Sequence, residues 1–248
     1  MAFIFSTAPV MGAATIQFQS EPTPTPLLEL YTSEGCSSCP PAEAWLSRLK
    51  DSPRLWKDFV PVVFHVDYWD DLGWKDPFAA KVYTQRQQSY AEHWRSSSVY
   101  TPGFVLDGKE WRGWYKREEL PQSSRTPVGV LTARSEDGRQ WKIRFQPSTA
   151  DGNLTCDIQA ALLGFELGSK VKAGENRGRE LQHDFVALSF VKVAATKDGK
   201  AFQTVVSLNS KPATSTARLG LAAWVTPSRS WQPVQAVGGW LTSTNRAP

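Results

Sequence analysis

An apolar run, Leu27-Leu28-Glu29-Leu30-Tyr31, leads into Cys36-Ser37-Ser38-Cys39-Pro40-Pro41. The run reads as a strand. Ala42, Trp45, Leu46 and Leu49 then recur at helical spacing, with proline at the helix start. The two cysteines therefore stand where a strand turns into a helix. Unpaired N–H groups at a helix N-terminus favour a thiolate, so the pair reads first as a redox dithiol. The next run, Phe59-Val60-Pro61-Val62-Val63-Phe64-His65-Val66, is nearly continuous and β-branched. That is the pattern of a strand buried on both faces.

Three cysteines are an odd count. Cys36 and Cys39 can form one disulfide, which leaves Cys156 as a small buried hydrophobe inside a predicted strand. Zinc is disfavoured by spacing, because no second Cys or His pair completes a four-ligand motif, and no cofactor motif is found. The formal charge of +4 is spread along the chain rather than gathered into a basic run, which argues against nucleic acid. Residues 1–14 are apolar, too short to span a bilayer, and end on small residues. Residues 1–20 are therefore expected to be a signal peptide, though one lacking a basic leading segment, with a Pro-rich spacer at 21–26. The expected location is periplasmic or secreted, without a membrane span.

The segment 77–94 reads as a second helix, and Asp107-Gly108 as a hairpin turn whose returning strand is 111–115. From Thr126 onward short strands alternate with turns, at 128–133, 141–145, 154–163, 185–194, 202–208, 219–225 and 234–241. That pattern indicates an antiparallel sandwich.

The order of strand, C-x-x-C, helix, buried strand, helix, Thr101-Pro102 and hairpin resembles a thioredoxin-like domain. The resemblance implies that Cys36 is the exposed attacking thiol, that Cys39 resolves the mixed disulfide, and that Pro102 is cis and positions substrate. Two departures stand out: Gly35 replaces the usual tryptophan, and Pro40 replaces a basic residue. The segments 30–42, 66–70, 73–78 and 100–102, together with Gly174-Glu175-Asn176-Arg177-Gly178-Arg179, Leu181 and His183, resemble a secreted bacterial family known as domain of unknown function 1223. This resemblance covers residues 27–240 and implies a thioredoxin-like fold with an appended β-domain. The expected fold is an α/β thioredoxin-like domain over 27–124, followed by an all-β antiparallel sandwich-like domain over 125–248.

The candidate site comprises Cys36, Cys39 and Pro102, with Tyr100, Thr101, Trp69 and Trp74 touching substrate. Glu29 and Asp67 are the candidate acid/base groups. Glu29 is equally consistent with a strand-edge position, and the Asp67/Asp70/Asp71 loop with helix capping. His65 reads as a hydrogen-bonded core residue. The leading function is thiol–disulfide oxidoreduction of a protein or small-molecule thiol. Alternatives are Cu(I) binding by the same cysteines, or a peptide- or glycan-binding module with a structural disulfide. The loop 174–179 is expected to meet the first domain.

Overall fold

The structure is a computed structural model that describes residues 15–116, 118–121, 124–149, 153–209 and 218–241. Residues 1–14 of the expected leader and the Asp151-Gly152 turn lie outside the described residues, as does Ser123 next to the expected domain boundary.

The first part of the chain forms β1 (Ile16–Gln19), β2 (Leu27–Thr32), α1 (Pro40–Ser47), β3 (Val60–His65), α2 (Lys81–Trp94), β4 (Gly103–Leu106) and β5 (Lys109–Glu110). The rest forms β6 (Gly129–Ser135), β7 (Gln140–Pro147), β8 (Cys156–Phe165), β9 (Leu167–Lys170) and β10 (Glu180–His183). It continues through β11 (Val186–Ala194), β12 (Thr196–Asp198), β13 (Ala201–Ser207), β14 (Arg218–Pro227) and β15 (Gln235–Leu241). Each of the seven β-rich runs read from the sequence after Thr126 contains a strand. The stretch 111–115 is not one: the return of the hairpin is β5, and Gly113–Lys116 turns as a 3-10 helix.

The expected fold class is corrected by strand order. One eight-stranded sheet runs β15-β14-β8-β11-β3-β2-β4-β5, and a five-stranded sheet runs β1-β6-β7-β13-β12. A two-stranded ribbon pairs β9 with β10. The protein is thus a mostly β structure with large mixed and antiparallel sheets, rather than an α/β thioredoxin-like domain beside a separate sandwich. The join is parallel pairing of β11 with β3 at Val186↔Val63. No local pattern announces such a pairing, because both strands are simply apolar runs far apart in sequence.

Side-chain alternation explains why the joined sheet is stable. In β8 and β14, Ala161, Leu163, Phe165, Ala222 and Trp224 point into one core, which also takes Leu28, Leu30, Ala42, Leu46 and Tyr90. Their neighbours Ile158, Ala160, Leu162, Leu221, Ala223 and Val225 point into a second core with Leu131, Trp141, Ile143 and Phe145. Period-two alternation places successive residues on opposite faces, so these strands form a wall between two cores. β2 and β3 are buried at every position, as expected for strands covered on both faces.

Residues 21–26 are fixed against the body. The buried amide of Gln235 donates to Glu21 O (3.0 Å), Thr23 O (3.0 Å) and Gly129 O (2.9 Å), and its oxygen accepts from Thr25 N at 2.8 Å. Ile16–Gln19, inside the expected leader, pairs with β6.

Candidate functional site

Cys36 and Cys39 are joined as a disulfide, with their Cα atoms 5.5 Å apart. Cys39 is the N-cap of α1, and its carbonyl accepts the N–H groups of Ala42 (2.9 Å) and Glu43 (3.1 Å). Ser38 Oγ lies 3.3 Å from Cys36 Sγ, and Thr101 O lies 3.7 Å from the same sulfur. A disulfide sulfur can only accept, so the Ser38 hydroxyl is the donor. The Thr101–Pro102 peptide bond is cis. With the sulfurs bonded to each other, neither is a thiolate in this state.

Cys36 is only 1% exposed and Cys39 is fully covered, whereas Ser37 and Ser38 are exposed. The expected exposure of Cys36 is therefore corrected. Its cover includes the 174–179 loop between β9 and β10. Asn176 Nδ2 donates to Glu34 O (2.8 Å) and Cys36 O (2.9 Å), Arg179 holds the Asn176 oxygen at 2.8 Å, and Glu175 accepts Ser37 N at 2.9 Å.

A buried polar cluster lies beside the dithiol turn. β3 supplies His65, β10 supplies His183, α1 supplies Glu43, and the flanking turns supply Glu34 and Asp76. His183 Nε2 meets Glu34 at 3.0 Å while its Nδ1 hydrogen-bonds Glu43. The second oxygen of Glu43 accepts from Thr32 Oγ1 (2.5 Å), and that of Glu34 from Trp74 Nε1 (2.6 Å). His65 Nδ1 meets Asp76 Oδ2 at 2.7 Å, and the same oxygen accepts Glu34 N at 2.8 Å. Burial pushes the His183 pKa down, but the Glu43 charge and hydrogen bonds donated to both glutamates overcome it and raise it to about 10. Burial raises Glu43 and Asp76, but the imidazole beside each wins, and both end below their ordinary values. His183 is thus an imidazolium clamped between two carboxylates.

The remaining expected residues separate into two groups. Tyr100 and Pro102 line an apolar groove of about 980 Å³ together with Ser38, Trp45, Trp111 and Trp114. Trp69 Nε1 donates to Thr101 Oγ1 at 2.9 Å, which holds the loop beside Cys36. Trp74 points instead to Glu34. Glu29 is bound up elsewhere: Arg86 Nε (2.6 Å) and Nη2 (3.0 Å), Tyr31 OH (2.9 Å) and Tyr90 OH (2.6 Å) all donate to it. Asp67 accepts the Thr84 hydroxyl and fastens α2. Cys156 is buried, and burial pushes its thiol up to about 11.

A family model described as "Protein of unknown function (DUF1223)" matches residues 27–226. The chain belongs to the DUF1223 family. No curated protein matches it. A solved structure of an Agrobacterium tumefaciens protein is similar, with 26% identity and a TM-score of 0.61, covering 88% of this chain and 94% of that one. HBP35 of Porphyromonas gingivalis shares the fold at 11% identity and a TM-score of 0.60, over 92% of this chain and 78% of that one. In this DUF1223 protein the matched span contains the dithiol and every member of the buried cluster. The sequence reading gave no site role to Glu34, Asp76 or Glu43, and of these only Glu43 lies outside the segments that carried the family resemblance. Its signal was its place four residues after Cys39, on the same face of α1.

Proposed function

We propose that the protein is a thiol–disulfide oxidoreductase that works through Cys36 and Cys39. The observation that carries the reading is a closed disulfide across the turn that leads into α1, beside the Thr101 carbonyl and at the edge of the aromatic groove. In the reduced protein the Cys36 thiolate attacks a substrate disulfide, forms a Cys36–substrate bond and releases one substrate thiolate. The Cys39 thiolate then attacks Cys36 Sγ, closes the Cys36–Cys39 bond and releases the second substrate thiolate. Two electrons pass from the protein to the substrate, and the reverse sequence oxidises a dithiol. The positive end of the α1 dipole favours the thiolate in either direction.

The groove supplies apolar and aromatic surface next to Ser38 and Pro102, suited to a substrate segment with apolar side chains around its cysteine. Access to Cys36 requires Ser38 and the Glu175–Ser37 contact to part, so substrate binding and opening of the cover are coupled.

The test is trapping. Cys39→Ser is expected to accumulate a mixed disulfide with a model peptide disulfide, while Cys36→Ser accumulates none. A Cys36–Cys39 bond that resists dithiothreitol, with both variants merely less stable, refutes the proposal.

A further inference from the structure

We propose that Glu43, His65 and His183 form a binding site for one divalent cation of borderline softness, with Zn2+ as the representative ion. The inference goes beyond the dithiol chemistry and does not depend on it. The three side chains come from α1, β3 and β10, and one ligand atom from each lies within 4.8 Å of the others. A tetrahedral ion with ligands at about 2.0–2.2 Å places ligand atoms roughly 3.4 Å apart.

Two observations distinguish this cluster from an ordinary buried hydrogen-bond network. The first is an orphan: His65 Nε2 is fully enclosed and has no hydrogen-bond partner among the described residues. Asp76 takes the Nδ1 proton at 2.7 Å, so Nε2 presents a bare lone pair to the cluster. A buried unsatisfied acceptor is costly, and a cation is the group that satisfies it. The His65 ring stands edge-on to His183, with centroids 5.0 Å apart.

The second is the arrangement behind each ligand. Metal-bound histidines hold their other ring nitrogen against a carboxylate, which fixes the tautomer and raises basicity. Asp76 stands in that position for His65. Glu34 stands there for His183, at Nε2, leaving Nδ1 to face Glu43. Thr32 fixes the remaining Glu43 oxygen. Two buried carboxylates, Glu34 and Glu43, share the His183 imidazolium, so a divalent ion can replace the proton held between His183 and Glu43. Two imidazoles and one carboxylate match the preference of Zn2+, and three protein ligands leave it one open position.

The experiment uses the full chain in oxidised form alongside the Cys36→Ser/Cys39→Ser double variant, so that thiolates cannot contribute. Each is titrated with Zn2+ and Co2+, and the Zn2+-loaded protein is measured by X-ray absorption. The expected result is one ion per chain in both proteins, with two imidazoles and oxygen around it and no sulfur. Asp76→Asn should weaken binding about 10–100-fold, and His65→Gln should weaken it more. Absence of Zn2+ binding at micromolar concentration in both proteins overturns the proposal, as does sulfur at about 2.3 Å. The absorption spectrum of unmutated protein decides even if His65→Gln fails to fold. A failure to trap a mixed disulfide would count against the oxidoreductase reading alone.

Discussion

Arg86→Ala should destabilise the protein more than any single surface substitution, and the structure gives the size. Arg86 lies on α2 with its side chain 8% exposed, and it forks onto the fully buried Glu29 carboxylate through Nε (2.6 Å) and Nη2 (3.0 Å). Its Nη1 donates to Gln159 of β8 at 2.6 Å. Its guanidinium also lies 5.3–5.5 Å from the ring centroids of Phe64, Tyr90, Phe190 and Trp224. One side chain therefore ties the helix to strands from both halves of the chain.

Removing one partner of a buried pair strands the other charge, at a cost of about 3–5 kcal/mol. For a protein of this length that corresponds to a fall of roughly 6–20 °C in Tm. Glu29→Gln strands Arg86 instead and should cost a similar amount. The double variant Glu29→Gln/Arg86→Ala removes both charges and should be more stable than the sum of the singles, by at least about 2 kcal/mol. Urea unfolding of all four proteins completes the cycle. Additivity within about 0.5 kcal/mol refutes the reasoning. The same variant tests the reassignment of Glu29: the reduction potential of the Cys36/Cys39 pair should move by less than about 30 mV, the tenfold scale for a two-electron couple. A larger shift would restore Glu29 to acid–base work.

Further outcomes follow from the same contacts. Asn176→Ala leaves two carbonyls over the dithiol without their donor, so stability should fall by about 1–3 kcal/mol and dithiothreitol should reduce Cys36–Cys39 faster; unchanged reduction kinetics would count against the cover. His183, raised from 6.5 to about 10, contributes stability that is complete below its unfolded pKa and is lost as pH rises through about 10. Glu43 and Asp76, both lowered, contribute stability present above their unfolded values and lost as pH falls. Urea midpoints should therefore decline on both sides of a near-neutral plateau, and a flat alkaline side to pH 10 would refute the imidazolium assignment. Gly239→Ala should cost about 1–3 kcal/mol by overpacking, since its Cβ would lie 2.1 Å from the Phe18 ring; a neutral melting temperature would show that β1 is not seated there.

Much of the local structure was legible in the sequence. The run from Val60 to His65 is apolar and β-branched because it is covered on both faces, and the pattern states that directly. Asp107-Gly108 marked the turn between β4 and β5, since both residues adopt positive φ there. Cys36 and Cys39 announced a disulfide at a helix start. Other features were not legible, for physical reasons. Glu29 looked like a spare acid because its partner Arg86 is on another element, and the reach of a side chain across a core has no sequence spacing. His65 and His183 read as separate residues because only the pairing that sets β11 beside β3 draws the ribbon carrying His183 toward the dithiol turn.

The sequence alone therefore determined both helices, most of the strands though not β1, β9, β10 or β12, and where the two cysteines sit, because periodicity and turn chemistry are local properties of a chain. Tertiary structure decided the rest. A parallel pairing between β3 and β11 joined strands from both halves of the chain in one eight-stranded sheet, and the same closure buried the disulfide under Asn176. It also gathered Glu43, His65 and His183 into a single cluster. Burial and long-range register depend on how all the strands satisfy their backbone groups together, and that is a property of the assembled sheet rather than of any segment within it.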